Sequence, residues 1–476
     1  MDNAQDLLVE IGTEELPPKA LRRLSEAFEQ GILAGLAKAG IAHGTARQFA
    51  TPRRLAVIID GVAAVQPQRE SRRRGPALKA AFDDAGTPTK AAMGFARSCG
   101  VEVSELDKLE TDQGAWLVHK SVESATDTGA LLPEIVGQSL DALPIPKRMR
   151  WGASDAEFVR PVRSIIVLMG TRSIQCQLLG VKSGQQTLGH RFHCPDPLTL
   201  TIPDEYEQRL EEQGFVVAGF DKRRTRVLTQ VREAAAPLGG EVVIDEALLD
   251  EVTALTEWPV AIAGSFEEKY LEVPAEALIA TMKTNQKYFH LIDGNGDLLP
   301  HFITVANIES SNPDAVRHGN ERVVRPRLAD AQFFFEMDKR TPLASRLDGL
   351  ETVVFQRKLG SLKDKSERIA ALAEHISRRL GESDEAIAAT RRAGLLCKCD
   401  LVTEMVGEFP ELQGSMGGRY AEASGESASV SQAIAELYLP RFAGDALPTS
   451  RAGMAIAIAD RIDTLVGIFG IGQPPS

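Results

Sequence analysis

One stretch near the start of the chain constrains the fold most strongly: residues 6–21, which read DLLVEIGTEELPPKAL. Its largely apolar run, 7–11, has the length of a strand that is buried on one or both faces. Gly12 can turn the backbone at the end of this run. The Pro17–Pro18 pair fits the first turn of a helix, where proline removes no hydrogen-bond donor that the helix needs. The stretch therefore predicts a strand, a turn and a helix start.

The residues that follow predict an amphipathic helix ending near Gly40. Its apolar side chains recur at spacings of three and four residues: Leu21, Leu24, Phe28, Ile32 and Leu36. Thr13, Glu14 and Glu15 precede this helix, and carboxylates there favour the positive end of a helix dipole. We therefore predict that these three residues cap and organise the helix start.

The length of the chain, 476 residues, exceeds what one compact core usually holds and predicts about three domains. The predicted fold class is α+β multidomain, with an α/β domain at 1–165, a mixed β-rich domain at 166–340 and an all-α domain at 341–476. Short strands alternating with glycine turns from Ile174 to Thr201 indicate the β-rich part. After Leu359 the sequence has no alternating strand pattern, which favours a helical bundle.

Composition predicts a cytoplasmic protein without a membrane partner. The sequence has no apolar run of the roughly 18 residues that a membrane helix requires, and its first residues do not resemble a signal sequence. Its five cysteines are odd in number and scattered, which favours a reducing compartment.

The charge is unevenly distributed along the chain. The net charge is −12, which argues against nonspecific binding of nucleic acid. However, residues 44–76 contain seven arginines and two acids, and residues 140–200 contain eight lysines and arginines and four acids. Such basic islands can hold a polyanion in one groove of an acidic protein, although they also occur as solvated surface.

Two segments carry the candidate polyanion contacts. The first segment, residues 51–54, interrupts a predicted strand at 47–62. It precedes a predicted polar loop at 66–76 that carries four more arginines. The second is a proline-stiffened segment from Pro144, where basic side chains and a tryptophan suit phosphate contact and base stacking. The candidates are Arg53, Arg54, Lys147, Arg148, Arg150, Trp151, Arg160 and Arg163.

No familiar phosphate-binding or nucleophile motif occurs in the sequence: no Walker loop, dinucleotide glycine fingerprint, HExxH or GxSxG. Asp400 and Asp460 match the frame of HD phosphohydrolases, in which a histidine, a His-Asp pair and a distant aspartate hold metal. Cys399 replaces the histidine of the pair. Two aspartates are too few ligands for a catalytic ion, so we predict a degenerate frame without metal. A metal-dependent phosphohydrolase remains the alternative function.

Several longer motifs resemble those of the beta subunit of bacterial glycyl-tRNA synthetase, a class II, heterotetrameric type. They occur in family order over essentially the whole chain: the opening stretch, TPRRL (51–55), MRWG (149–152), FVRP (158–161), KTNQKYF (283–289), residues 327–335, RKLGS (357–361) and residues 403–414.

The resemblance implies a noncatalytic, tRNA-binding subunit that acts with a separate alpha subunit in ATP-dependent attachment of glycine to tRNA(Gly). It implies two alpha and two beta chains, with ATP and Mg²⁺ used on the alpha subunit and no cofactor on this chain. The middle domain would be similar to the tRNA-binding and editing-type domain of the phenylalanyl-tRNA synthetase beta chain, and the last domain to a degenerate HD domain.

The resemblance adds three candidate tRNA contacts from the KTNQKYF motif: Lys283, Lys287 and Tyr288. Family members continue into an anticodon-binding region, and a chain that stops at Ser476 is predicted to lack it. A pure assembly scaffold without RNA contact remains a further alternative.

Overall fold

The computed structural model describes residues 4–67, 69–83, 86–111, 114–123 and 125–473; the predicted end at Ser476 lies outside them. The chain divides into two compact units. The first comprises the residues up to Arg226 together with Asp250–Pro259, and the second comprises Val227–Leu249 and the residues from Val260 onward. Both contain helices and strands, so the coarse prediction of a mixed α and β fold is confirmed.

The strands of the first unit are β1 (Ala4–Thr13), β2 (Ala46–Thr51), β3 (Arg54–Ala63), β4 (Val65–Gln66), β5 (Arg69–Ala77), β6 (Asp107–Thr111), β7 (Gly114–Glu123), β8 (Thr126–Asp127), β9 (Met149–Arg150), β10 (Glu157–Phe158), β11 (Val162–Met169), β12 (Arg172–Ser173), β13 (Gln177–Leu178), β14 (Val181–Gly184), β15 (Gln186–Leu188) and β16 (Pro197–Thr199). Its helices are α1 (Leu21–Lys38), α2 (Leu78–Ala81), α3 (Lys90–Cys99), α4 (Thr128–Asp141) and α5 (Tyr206–Glu212). Two further helices, α6 (Phe220–Ala235) and α7 (Glu246–Leu255), each cross a division between the units.

The predicted first strand lies at the centre of the main sheet. Within the described residues, this sheet has the order β13-β14-β11-β1-β3-β2, and β12 pairs with β11. β1 is antiparallel to both neighbours, so that Val9 lies opposite Val167 on one side and Val57 on the other.

Both faces of the sheet are covered, which explains the nearly unbroken apolar run in β1. Leu7, Val9 and Ile11 pack against α1 and α4, whereas Leu8 packs on the opposite face with Leu210 of α5. All five predicted core positions of α1 are buried. The predicted strand and helix are therefore confirmed.

Two local predictions in the first unit are wrong. Residues 47–62 form not one interrupted strand but the hairpin β2–β3, because Pro52 and Arg53 make its turn. Residues 66–76 are largely strand rather than loop: β5 pairs with β7 in a separate three-stranded sheet. Arg74 lies 3.6 Å from the ring centre of Trp116 on that sheet, so an arginine-rich strand finds an aromatic partner.

The strands of the second unit are β17 (Glu241–Val242), β18 (Val260–Ser265), β19 (Phe289–Ile292), β20 (Leu298–Ala306), β21 (Val354–Gln356) and β22 (Gly360–Ser361). Its remaining α-helices are α8 (Ala275–Ala280), α9 (Pro313–Lys339), α10 (Leu362–Arg379), α11 (Asp384–Leu396), α12 (Glu404–Glu408), α13 (Ser415–Ala423), α14 (Ala428–Glu436) and α15 (Arg451–Gly470). One core joins the sheet to the helices, from Phe302 through Leu328 to Ile434.

The predicted three-domain division stays a prediction. Its boundary at 165 falls inside β11, a strand of the main sheet, and its boundary at 340 falls inside the second unit. Among the described residues, no helix combines the length and the apolar character needed to cross a bilayer.

Candidate nucleic-acid interface

A cleft of about 490 Å³ lies between the start of α1 and the segment after α4. Its walls are mainly apolar and include Pro17, Ala20, Leu24, Pro144, Pro146 and Met149. The segment is held in place at both ends, since Leu143 before it and Phe158 after it are buried in the core. The cleft thus joins the opening stretch of the chain to the predicted basic segment.

Three basic residues line this cleft: Lys147, Arg148 and Arg160. The two arginines donate to main-chain carbonyls, with Arg148 Nη2 at 2.8 Å from Asp141 O and Arg160 Nε at 2.9 Å from Glu15 O. Carbonyl oxygens orient a guanidinium without cancelling its charge. Within the described part of the chain, no carboxylate lies within ion-pairing distance of these three side chains. They therefore leave a net positive potential at the cleft.

The other candidates of the segment have different surroundings. Arg150 and Glu157 are opposite each other across β9 and β10, and Arg150 Nε lies 2.7 Å from a Glu157 carboxylate oxygen. Arg163 Nε lies 2.9 Å from Glu14 Oε1. Trp151 is half-buried and packs against the core. Arg150 and Arg163 are thus neutralised by carboxylates and Trp151 is part of the core, unlike the three basic residues that line the cleft.

Glu14 does not cap the helix start, contrary to prediction. Its carboxylate pairs with Arg163 and, at 3.3 Å, with Arg191. The short 3₁₀ turn Pro18–Ala20 has no side-chain cap, and neither it nor α1 has an acidic residue in its first turn. The carboxylate is satisfied by arginine hydrogen bonds instead.

Arg54 is buried, with only 2% of its surface exposed, and is not available to a surface ligand. Its guanidinium lies 3.5 Å from Glu10 and 3.4 Å from Glu257. Burial alone lowers the pKa of Arg54, but Glu257 and Glu10 outweigh it and raise that pKa above its ordinary value. The side chain of Arg53 is 13% exposed and lies 3.7 Å from the same Glu257. Neither arginine adds to the positive potential of the cleft.

The three candidates in the second unit are also engaged in local contacts. Tyr288 is 3% exposed, stacks on Phe302 at 4.5 Å between ring centres, and donates a hydrogen bond to Asn320. Lys283 forms an ion pair with Asp245. Lys287 donates to the carbonyl of Thr284. Tyr288 is a core residue, so a base-stacking role does not fit its burial.

Comparison with known proteins supplies the family. The family described as glycyl-tRNA synthetase beta subunit matches residues 7–476. Proteins named glycine–tRNA ligase beta subunit are 56% identical in Hahella chejuensis over 474 residues, 56% in Marinobacter nauticus over 473 and 51% in Klebsiella pneumoniae over 468. These alignments cover 98–100% of this chain and 68% of each relative.

The chain belongs to the glycyl-tRNA synthetase beta subunit family. The resemblance of its motifs is therefore confirmed, and with it the predicted role as a glycine–tRNA ligase beta subunit.

Two lysines contact Asp460, the residue predicted from the sequence to match the distant aspartate of an HD frame. Lys365 Nζ and Lys398 Nζ each lie 2.9 Å from a carboxylate oxygen of Asp460. Burial raises the pKa of Asp460, but Lys398 and Lys365 outweigh it and hold that pKa below its usual value. Both lysines are nearly fully buried, so their ammonium groups occupy the space beside Asp460 that a metal ion would need.

Asp400 is fully buried and accepts a hydrogen bond of 2.5 Å from the Gly414 amide, whereas its Oδ1 has no hydrogen-bond partner among the described residues. Cys399 is buried as well, and burial raises the pKa of its thiol to about 12. Among the described residues, no three His, Cys, Asp or Glu side chains are grouped to hold a metal ion.

Sequence reasoning missed the buried acidic residue Glu10, although a signal was present. Glu10 interrupts the apolar run of β1 and is 1% exposed. It accepts hydrogen bonds from Tyr206 at 2.6 Å and Thr187 at 2.8 Å. A carboxylate in a strand covered on both faces requires a buried cation or donors, and Arg54 meets this requirement.

Proposed function

We propose that this chain is the tRNA-binding, noncatalytic subunit of an alpha/beta glycyl-tRNA synthetase and that it holds tRNA(Gly) at the cleft between α1 and the segment after α4. The observation that carries the proposal is the set of three cations at one cleft, Lys147, Arg148 and Arg160, without a carboxylate partner in the described structure. Phosphate oxygens supply the negative charge that these side chains lack.

Family membership supports the rest of the assignment. The word "subunit" in the relatives' names supports an alpha subunit as partner, and we propose two alpha and two beta chains. ATP and Mg²⁺ would act on the alpha subunit, in agreement with the lack of phosphate-binding motifs in this sequence. We also propose a cytoplasmic location, an editing-type middle domain, and a degenerate HD domain for the helices that carry Cys399, Asp400 and Asp460.

The salt dependence of tRNA affinity tests the cleft. Each neutralised phosphate releases counterions, so the logarithm of the binding constant falls linearly with the logarithm of salt concentration. Replacing Lys147, Arg148 and Arg160 together by alanine should flatten this slope by about three, roughly one unit per phosphate contact. The measurement is a salt titration of tRNA(Gly) binding by fluorescence anisotropy.

A matched control removes the same charge from paired arginines of the same unit. Arg150, Arg163 and Arg172 each lie within 2.9 Å of a carboxylate, so their replacement by alanine removes cations that are already neutralised. The slope should change much less in this control. Equal slopes for both triple variants would place the RNA elsewhere.

Two other outcomes would favour the alternative functions. A salt-independent affinity, or no affinity, in the presence of the alpha subunit would favour an assembly scaffold. Stoichiometric metal that is lost on Asp400→Ala, with nucleotide hydrolysis, would favour a phosphohydrolase.

A further inference from the structure

The cleft has two chemically different parts. Its inner wall is apolar and rigid, because prolines from both sides line it and Leu24 behind them is buried. Its basic residues are Lys147, Arg148 and Arg160. Electrostatic binding of a duplex backbone requires only the cations. The apolar wall fits an additional contact, in which a flat apolar part of the ligand packs against it.

The volume and the charge together select the occupant. About 490 Å³ lies within the range of pockets that hold small organic groups, roughly 300–1,000 Å³. The adjacent unneutralised cations require negative charge next to the apolar group. An unstacked base with its flanking phosphates has this combination, whereas paired bases in a helix stack on one another and cannot place a face against an apolar wall.

We infer that the cleft takes one unpaired base from a single-stranded segment of RNA, with the base against the proline wall and its phosphates on Lys147, Arg148 and Arg160. This inference rests on the proposed function and specifies the RNA element that the cleft binds. It distinguishes the site from a sequence-independent phosphate surface, because affinity then depends on the strand being unpaired.

The test uses two RNA hairpins that differ only in a four-nucleotide single-stranded 3′ overhang, and the full chain with and without the alpha subunit. Ala20→Leu narrows the cleft without changing its charge. Ala37→Leu adds the same side chain at an exposed position of α1, outside the cleft. Wild type and Ala37→Leu should prefer the overhang hairpin by about tenfold, and Ala20→Leu should lose this preference.

Met149→Ala keeps the test valid if Ala20→Leu unfolds the chain, since Met149 is 39% exposed and its loss opens the wall instead of filling it. It should weaken binding of the overhang hairpin several-fold and leave binding of the blunt hairpin unchanged.

The base pocket would be overturned if Ala20→Leu and Met149→Ala both fold and both keep the wild-type preference for the overhang hairpin. The proposed function would survive this result as long as the triple basic variant still lowers affinity. A loss of alpha-subunit binding with unchanged RNA affinity would overturn the base pocket as well, by assigning the cleft to a protein side chain. If the triple basic variant binds both hairpins like wild type, the proposed function itself fails at this cleft.

Discussion

Arg54 carries its charge inside the first unit, where both of its carboxylate partners are excluded from water. Replacing Arg54 by methionine removes the cation that lies 3.5 Å from Glu10, a carboxylate only 1% exposed, and leaves the equally buried Glu257 with Arg53 at 3.7 Å. Breaking a buried pair in this way costs about 3–5 kcal/mol, because the remaining charge stays buried. We expect Arg54→Met to lower the free energy of unfolding by this amount, measured by urea titration.

The control for this prediction is Arg150→Ala, whose pair with Glu157 is exposed on both sides. Surface pairs contribute about 0–1 kcal/mol, so this variant should unfold almost like wild type. If Arg54→Met instead keeps wild-type stability and loses tRNA affinity, the guanidinium is an RNA contact after all.

Asp400 should make stability depend on pH in the direction opposite to that of a paired surface carboxylate. Burial raises its pKa from 3.8 to about 6. Between these values the folded state holds a proton that the unfolded state has released, so this group's contribution falls as the pH rises from about 4 to about 6. Above pH 6 the loss of stability from this raised pKa reaches its full size, about 3 kcal/mol.

Asp400→Asn removes this titration and keeps an oxygen acceptor for the Gly414 amide. Its stability relative to wild type should therefore increase between about pH 4 and 6 and then stay constant, in urea titrations across this range. Asp445→Asn is the control with the opposite sign, because hydrogen bonds from Arg441 lower the pKa of Asp445 to about 2. A pH-independent difference for Asp400→Asn would show that the carboxyl is hydrated in solution.

At the scale of secondary-structure elements, the packing of α10 on α11 depends on one glycine. A Cβ on Gly394 of α11 would lie 2.7 Å from Ala370 Cα of α10, closer than real Cβ atoms approach. Because a backbone atom cannot move aside cheaply, Gly394→Ala should destabilise the protein by about 1–3 kcal/mol. The melting temperature and urea midpoint measure this.

Gly319→Ala is the matched control, since Gly319 lies at an exposed position of α9 where an added Cβ would have nothing within 4 Å. Alanine favours a helix over glycine by about 0.8–1.0 kcal/mol, so this variant should be stabilised. Destabilisation by both substitutions to a similar extent would remove the packing explanation for Gly394.

The elements also show what the sequence could predict. The buried face of α1 was predictable because helical periodicity is local, and the five apolar positions repeat it within 18 residues. The pairing of β1 with β11 was not, since Val9 and Val167 are far apart in sequence. Arg148 and Arg150 look equivalent in the sequence, but only the β9–β10 pairing places Glu157 against Arg150 and leaves Arg148 unneutralised.

At the scale of the whole molecule, a chain with net charge −12 repels RNA at long range and attracts it only near its basic groups. The basic island at 140–200 was visible in the sequence, and the structure brings three of its cations together at one cleft. The island at 44–76 behaves differently, since Arg54 is buried and Arg74 lies over Trp116. Local charge therefore indicated the region, whereas burial and pairing selected the residues.

In the proposed function this chain holds the tRNA and the alpha subunit performs the chemistry. This predicts how the assembled enzyme responds to loss of the cleft cations. We expect the variant with alanine at 147, 148 and 160, assembled with the alpha subunit, to keep wild-type glycine-dependent ATP–pyrophosphate exchange, because in the proposed function the chemistry resides on the other chain. The KM for tRNA(Gly) in glycylation should rise about tenfold or more, since each hydrogen bond to a charged group contributes about 1.5–3 kcal/mol. Loss of pyrophosphate exchange in a properly assembled complex would instead mean that these side chains support the alpha subunit's site, and an unchanged KM would mean that productive tRNA is held by other residues.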